Sequence, residues 1–197
     1  MGEDDPNTLT AMLDLAEITF NQGRLIATRK LEEAVVAGRT KLLGENHPDT
    51  LRAMRKLGVT LGAQGELTAA RELQQRVVAE MRALWGGEDF ETLRAVNNLA
   101  GTLAAAGNLA QAEALLEETI ATSCRVLGDQ HPDTLTAMGN LASVLWQAGN
   151  EEGAYSLQYQ VAELCRAVLG PDHPSTELAQ ATLTMMEHTI DVWARPV

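Results

Sequence analysis

The sequence predicts an all-α fold, a stack of helical hairpins, and three observations predict it. A period of 42 residues runs the length of the chain, apolar residues recur at helical spacing inside each period, and glycine and proline stand at fixed places in it. Thr8, Thr50, Thr92, Thr134 and Thr176 are 42 residues apart, and the same step links Gly2, Gly44, Gly86, Gly128 and Gly170. It links Ala11, Ala53, Ala95, Ala137 and Ala179, and Leu15, Leu57, Leu99, Leu141 and Leu183. Inside the complete units it also aligns Gly23, Gly65, Gly107 and Gly149, and Leu31, Leu73, Leu115 and Leu157. Columns that hold without an exception define internal repeats, here 8–49, 50–91, 92–133 and 134–175. Residues 176–194 open a fifth unit that stops after its first helix.

Each unit reads as two helices. The first opens at a turn such as His47-Pro48-Asp49-Thr50 or His131-Pro132-Asp133-Thr134. Proline suits a first helical turn because its missing N–H has no intrahelical partner there. The neighbouring aspartate or threonine satisfies other open N–H groups and favours the positive end of the helix dipole. Apolar residues then recur every three or four positions, as in Leu93, Val96, Leu99, Ala100 and Leu103. Gly107 ends that helix, where a left-handed backbone needs a residue without Cβ. The second helix follows as Leu109, Ala112, Leu115, Leu116, Thr119 and Ile120, and closes at Leu127-Gly128. Small residues Ala70, Ala112 and Ala154 stand where two helices approach closely. The last helix departs from the repeat at Thr182, Thr184, Glu187 and His188, as a terminal helix with a polar outer face must, and is expected to be a cap. The chain starts at Gly2 in register with Gly44, which reads as a portion of a longer array.

Composition narrows the function. Fifteen Lys+Arg against 27 Asp+Glu give a net charge of −12, which repels phosphate backbones and anionic lipid, so neither nucleic acid nor membrane is expected as the main partner. Two cysteines, Cys124 and Cys165, are too few for a disulfide framework and suit a reducing compartment. The segment MGEDDPNTL has no basic stretch followed by an apolar one, and no run approaches the ~18 apolar residues of a membrane helix. A cytoplasmic protein is expected.

The candidates for chemistry are few. His47, His131 and His173 recur like ligands, but they stand one repeat or more apart and each lies at a turn. Cys124 and Cys165 lack the close spacing of a metal or redox site. Asp14 and Glu17 share a helix without a histidine, a glycine-rich loop or a nucleophile elbow nearby, so they read as a solvated face. With no phosphate loop and no Gly-x-Ser-x-Gly or His-Glu-x-x-His motif, the expectation is no enzyme and no cofactor.

The small–Leu–small spacing, the hairpin glycine and the alanine of the second helix resemble the tetratricopeptide repeat, although the usual unit is ~34 residues and this one is 42. The run through 89–134, with Asn97-Asn98-Leu99-Ala100, Gly107 and Val126-Leu127-Gly128 ahead of Gln130-His131-Pro132-Asp133-Thr134, resembles the kinesin-light-chain variety. That variety also occurs as the sensing arm of bacterial regulatory ATPases. The resemblance covers nearly the whole chain and implies one array, a right-handed α-solenoid with a C-terminal capping helix. It also implies that the first helices line a concave groove. Transferred to this sequence, the second unit presents Arg52, Arg55, Lys56 and Val59, the third Arg94, Asn97, Asn98 and Gly101. The fourth presents Thr136, Asn140, Ser143, Trp146 and Gln147. Asparagine pairs with both N–H and C=O of an extended peptide, and arginine grips carboxylates with a planar fork. In kinesin-light-chain repeats, the resemblance implies, inward asparagines and basic residues hold peptides with acidic flanks. Gly62, Ala63, Gly101, Ala104 and Ala105 are expected to leave room deeper in the groove. The expected function is therefore a scaffold that binds a protein or an extended acidic peptide. The alternatives are self-association through an open array end, a sensor arm of a larger regulatory protein, and an enzyme using the groove as a pocket.

Overall fold

A computed structural model describes residues 5–194, and the side chains of 5–189 among them. Gly2, the first member of its column, lies outside the described residues. The described chain is all α: α1 (Pro6–Asn21), α2 (Leu25–Leu43), α3 (Pro48–Ala63), α4 (Leu67–Trp85), α5 (Phe90–Ala105), α6 (Leu109–Val126), α7 (Pro132–Gln147), α8 (Glu151–Leu169) and α9 (Pro174–Ala194). Two compact units divide it, Met1–Ala106 and Gly107–Val197, so the division falls inside the third sequence repeat. Within the first unit α1 packs on α2, α2 on α3, α3 on α4 and α4 on α5, and α3 also meets α5. Within the second, α6 packs on α7, α7 on α8 and α8 on α9. Helices that pack in chain order, hairpin after hairpin, are the architecture of an α-solenoid, because no single hairpin buries its own apolar face.

The first helices start where the turn motif ends, and their caps are built from one column of the repeat. The carboxylate of Asp5 accepts from the N–H groups of Asn7 and Thr8, and that of Asp89 from Glu91 and Thr92. His47 and His131 stand in the same column and use Nδ1 to accept from Asp49 and Asp133, each at 3.2 Å. His173 does so for Ser175 at 3.1 Å. These histidines therefore close turns on three separate helices.

At the hairpin bends the helix winds down through two reverse hydrogen bonds. Glu66 N–H reaches back to the Leu61 carbonyl and Gly65 N–H to that of Gly62, each at 3.0 Å. The bend holds Gly65 at φ +81°, a left-handed backbone that a Cβ would strain. The core of the first unit gathers Leu9, Val35 and Ala53, and next to them Leu57, Leu61 and Ala70. That of the second joins Leu135, Met138, Val161, Ala162, Cys165 and Ala179, with Leu157 and Leu183 against it. Gly38 makes the first hairpin close, since a Cβ there would meet a Leu9 methyl at 2.8 Å.

Candidate functional site

In the first unit, α3 and α5 carry the basic residues that the sequence singles out, and the structure surrounds them with carboxylates. Arg52 is exposed and donates from Nη1 to Asp49 at 3.0 Å and from Nε to Glu91 at 3.2 Å. Its guanidinium also lies over the Trp85 ring, 5.5 Å from the centroid. Lys56 donates to Glu17 at 2.8 Å. That bond, and then the charge of Lys56, hold the Glu17 carboxyl below its ordinary value, with a smaller pull from Arg94. Arg94 itself stacks over Phe90 at 5.2 Å. The sequence reading placed Arg55 in the groove with these three. The structure instead buries it, with Nη2 3.5 Å from Glu91, so it is a packing cation between α3 and α5. Ala104 is likewise part of the core and leaves no groove space.

The helix α5 also carries polar groups of a different kind. Asn97 and Asn98 are half-buried, and the buried Nδ2 of Asn98 makes no hydrogen bond among the described residues. An amide donor withdrawn from water without a partner costs free energy that an incoming carbonyl restores. Gly101, one turn further along α5, is exposed, and a Cβ built there would meet nothing within 4 Å. On α4, Gln74 is 2% exposed and has neither side-chain polar atom bonded among the described residues. Glu32 is 4% exposed, and burial raises its carboxyl above the ordinary value; Thr60 and the charge of Lys56 oppose that rise.

The second unit offers a cavity rather than a charge network. About 380 Å³ opens between α7, α8 and α9, floored by Gln158, Val161 and Cys165 and walled by Asn140, Leu178 and Thr182. No side chain lining it carries a charge. Ser143 borders it and is exposed, its hydroxyl bonded to the Gly139 carbonyl; Trp146 is half-buried further along α7. Leu178 and Thr182 are not among the groove residues expected from the sequence, which assigns α9 the role of a cap. The signal was there: Leu178 stands in the column of Arg52, Arg94 and Thr136, and Thr182 in that of Lys56, Asn98 and Asn140.

Polar and small side chains displayed on successive first helices, over cores that hold each helix in place, define a helical-repeat scaffold for protein interaction. Models of the tetratricopeptide repeat match residues 2–82 and 91–154, and again 134–175. The chain belongs to the tetratricopeptide repeat family. It is similar to a solved Podosopora anserina structure described as kinesin light chain nearly identical TPR-like repeats, at 28% identity and a TM-score of 0.73, over 93% of this chain and 87% of that one. A variant of that protein matches at 28% identity and a TM-score of 0.74, over 95% and 88%. The structure of BtubC (BKLC) from P. vanneervenii shares the fold, with 15% identity, a TM-score of 0.66 and coverage of 98% and 86%. No protein of curated function matches the chain in sequence. Among the described residues, no helix is long and apolar enough to cross a membrane.

Proposed function

We propose that the chain is a cytoplasmic scaffold that holds an extended segment of a partner protein, acidic where it crosses α3 and α5. The observation that carries this reading is the Asn98 amide nitrogen, buried without a partner among the described residues, one turn from Arg94 and the exposed Gly101 on α5 and in the repeat column of Lys56. A peptide carbonyl satisfies that donor, and a peptide carboxylate exchanges with Glu17 or Asp49 at Lys56 or Arg52. Such an exchange costs little, because both resident pairs are half-exposed and exposed pairs contribute only about 0–1 kcal/mol. The uncharged hollow of the second unit suits an apolar side chain rimmed by amide and hydroxyl groups. The groups gathered on α3 and α5 bind and orient; no acid–base pair or nucleophile stands among them, which supports a scaffold over an enzyme.

The test is capture of a partner by the wild-type chain, identification of its bound segment, and calorimetric titration of that segment as a synthetic peptide. Asn98→Ala should lose about 1–3 kcal/mol of binding if its donor is paired in the complex. Lys56→Glu with Arg94→Glu should weaken binding further, and affinity should fall with added salt, since exposed charges are screened beyond ~8–10 Å. Arg55→Glu is unsuitable because Arg55 is part of the packing. Affinity unchanged in both variants would place the partner elsewhere on the molecule.

A further inference from the structure

Three columns of the repeat mark where a first helix seats on the second helix before it. In α3, which packs on α2, Ala53, Leu57 and Thr60 are 0%, 9% and 0% exposed. In α5, which packs on α4, Ala95, Leu99 and Thr102 are 2%, 6% and 6% exposed. Ala137, Leu141 and Val144 of α7 and Ala179 and Met186 of α9 are buried too, with Leu183 half-buried. The same columns in α1 are Ala11, Leu15 and Ile18. Ala11 is exposed, Leu15 is 48% exposed and Ile18 54%. At spacings of four and three residues these side chains form one apolar stripe along the helix.

A terminal helix that ends a stack carries polar residues where a neighbour is missing. In α9, Glu177, Gln180, Thr184 and Glu187 fill the columns that in α7 hold Leu135, Met138, Ala142 and Leu145. In α1 the corresponding exchange has not been made: Ile18 is as apolar as Val144 and Met186, and more so than Thr60 and Thr102.

We infer that the Ala11–Leu15–Ile18 stripe is a docking face for the second helix of a further hairpin of this repeat type, supplied from outside the described residues. The existing interfaces define the chemistry of that helix. It carries a pair of small or β-branched residues in the columns of Val35-Val36, Val77-Val78 and Val161-Ala162. It has no carboxylate in the column of Glu32. Glu32 lies in the field of Lys56, whereas Asp14 takes the place of Lys56 in α1 and would repel an acid there. A second copy of this chain has no such helix to offer, since α2, α4, α6 and α8 are covered by α3, α5, α7 and α9.

The test adds a second copy of residues 92–133 directly before Thr8, which keeps the 42-residue register and brings Leu116 to the Glu32 column. Amide exchange in residues 9–21 should slow about tenfold or more in the extended chain, as newly packed helices are protected. Ile18→Glu should abolish the slowing, and so should Leu116→Glu in the added hairpin. In the unextended chain Ile18→Glu should leave the melting temperature unchanged. Exchange in α1 that is as fast with the added hairpin as without it would overturn the inference. So would a mass that doubles with concentration in the unextended chain and reverts with Ile18→Glu, because a second copy would then cover the stripe.

Discussion

Thr50 is buried and donates its hydroxyl to the carbonyl of Gly44, the glycine that ends the preceding helix, at 2.9 Å. Thr134 does the same to Gly128 at 2.8 Å. This bond ties the end of one repeat to the start of the next and gives a physical reason for two of the sequence columns to travel together. Thr92 stands in the same column, but its buried hydroxyl has no hydrogen-bond partner among the described residues. Thr50→Val should therefore cost about 1 kcal/mol, while Thr92→Val should be neutral or stabilising because it removes an unmet hydroxyl; paired chemical denaturation curves measure the difference. Glu32 makes a second contrast. Its column holds glutamine at Gln74 and Gln158, and Gln158 donates to the Ala179 carbonyl at 2.9 Å. Burial raises the Glu32 carboxyl above 4.5, so the folded state holds its proton more tightly than the unfolded chain. Its contribution is then most favourable below pH 4.5 and is lost as pH rises from there through the folded value. Glu32→Gln should raise stability at pH 7 and flatten the dependence across that window, as thermal melts at pH 4, 5.5 and 7 would show. A larger pH slope in the variant would contradict the assignment.

At the scale of elements, the caps and bends follow from local chemistry and were legible in the sequence. His47, His131 and His173 read as turn residues and serve as acceptors at helix starts; the hairpin glycines adopt positive φ. The faces of the helices were less legible. Arg55 lies one turn from Arg52 on the same helix, and nothing in α3 itself shows that Glu91, on α5, draws it into the packing. The helix α9 has two characters at once: it covers Leu135, Met138 and Val161 through Ala179, and it walls the hollow beside α7 with Leu178 and Thr182. Deleting 176–197 should expose that cluster, lower the helical signal of the second unit and promote aggregation. Circular dichroism with light scattering checks it, and a truncated chain as soluble and heat-stable as the full one would show that α9 covers nothing essential.

At the scale of the molecule, stability comes from neighbour-to-neighbour packing rather than from cross-links. Cys124 and Cys165 are free thiols, and burial raises that of Cys165 above its ordinary value. His47, His131 and His173 each cap the start of a different helix. Neither dithiothreitol nor EDTA should change the far-ultraviolet circular dichroism or the melting temperature; a drop with either reagent would reveal a disulfide or metal site. The sequence by itself determined the all-α fold, the repeat length and the positions of bends, because each rests on residues within one or two helical turns of each other. Through the resemblance to the tetratricopeptide repeat it also brought Arg52, Arg55, Lys56, Arg94 and Asn98 forward as one expected group on the first helices. Only the tertiary structure decided how those charges are met. Lys56 pairs with Glu17 and Arg52 with Glu91, each 39 residues away, from one first helix to the next. Such pairs need not recur from repeat to repeat, since exposed columns carry different charges in each unit. The same physics separates the buried seat of α3 on α2 from the open stripe of α1: the columns read alike, and burial depends on which helix lies opposite.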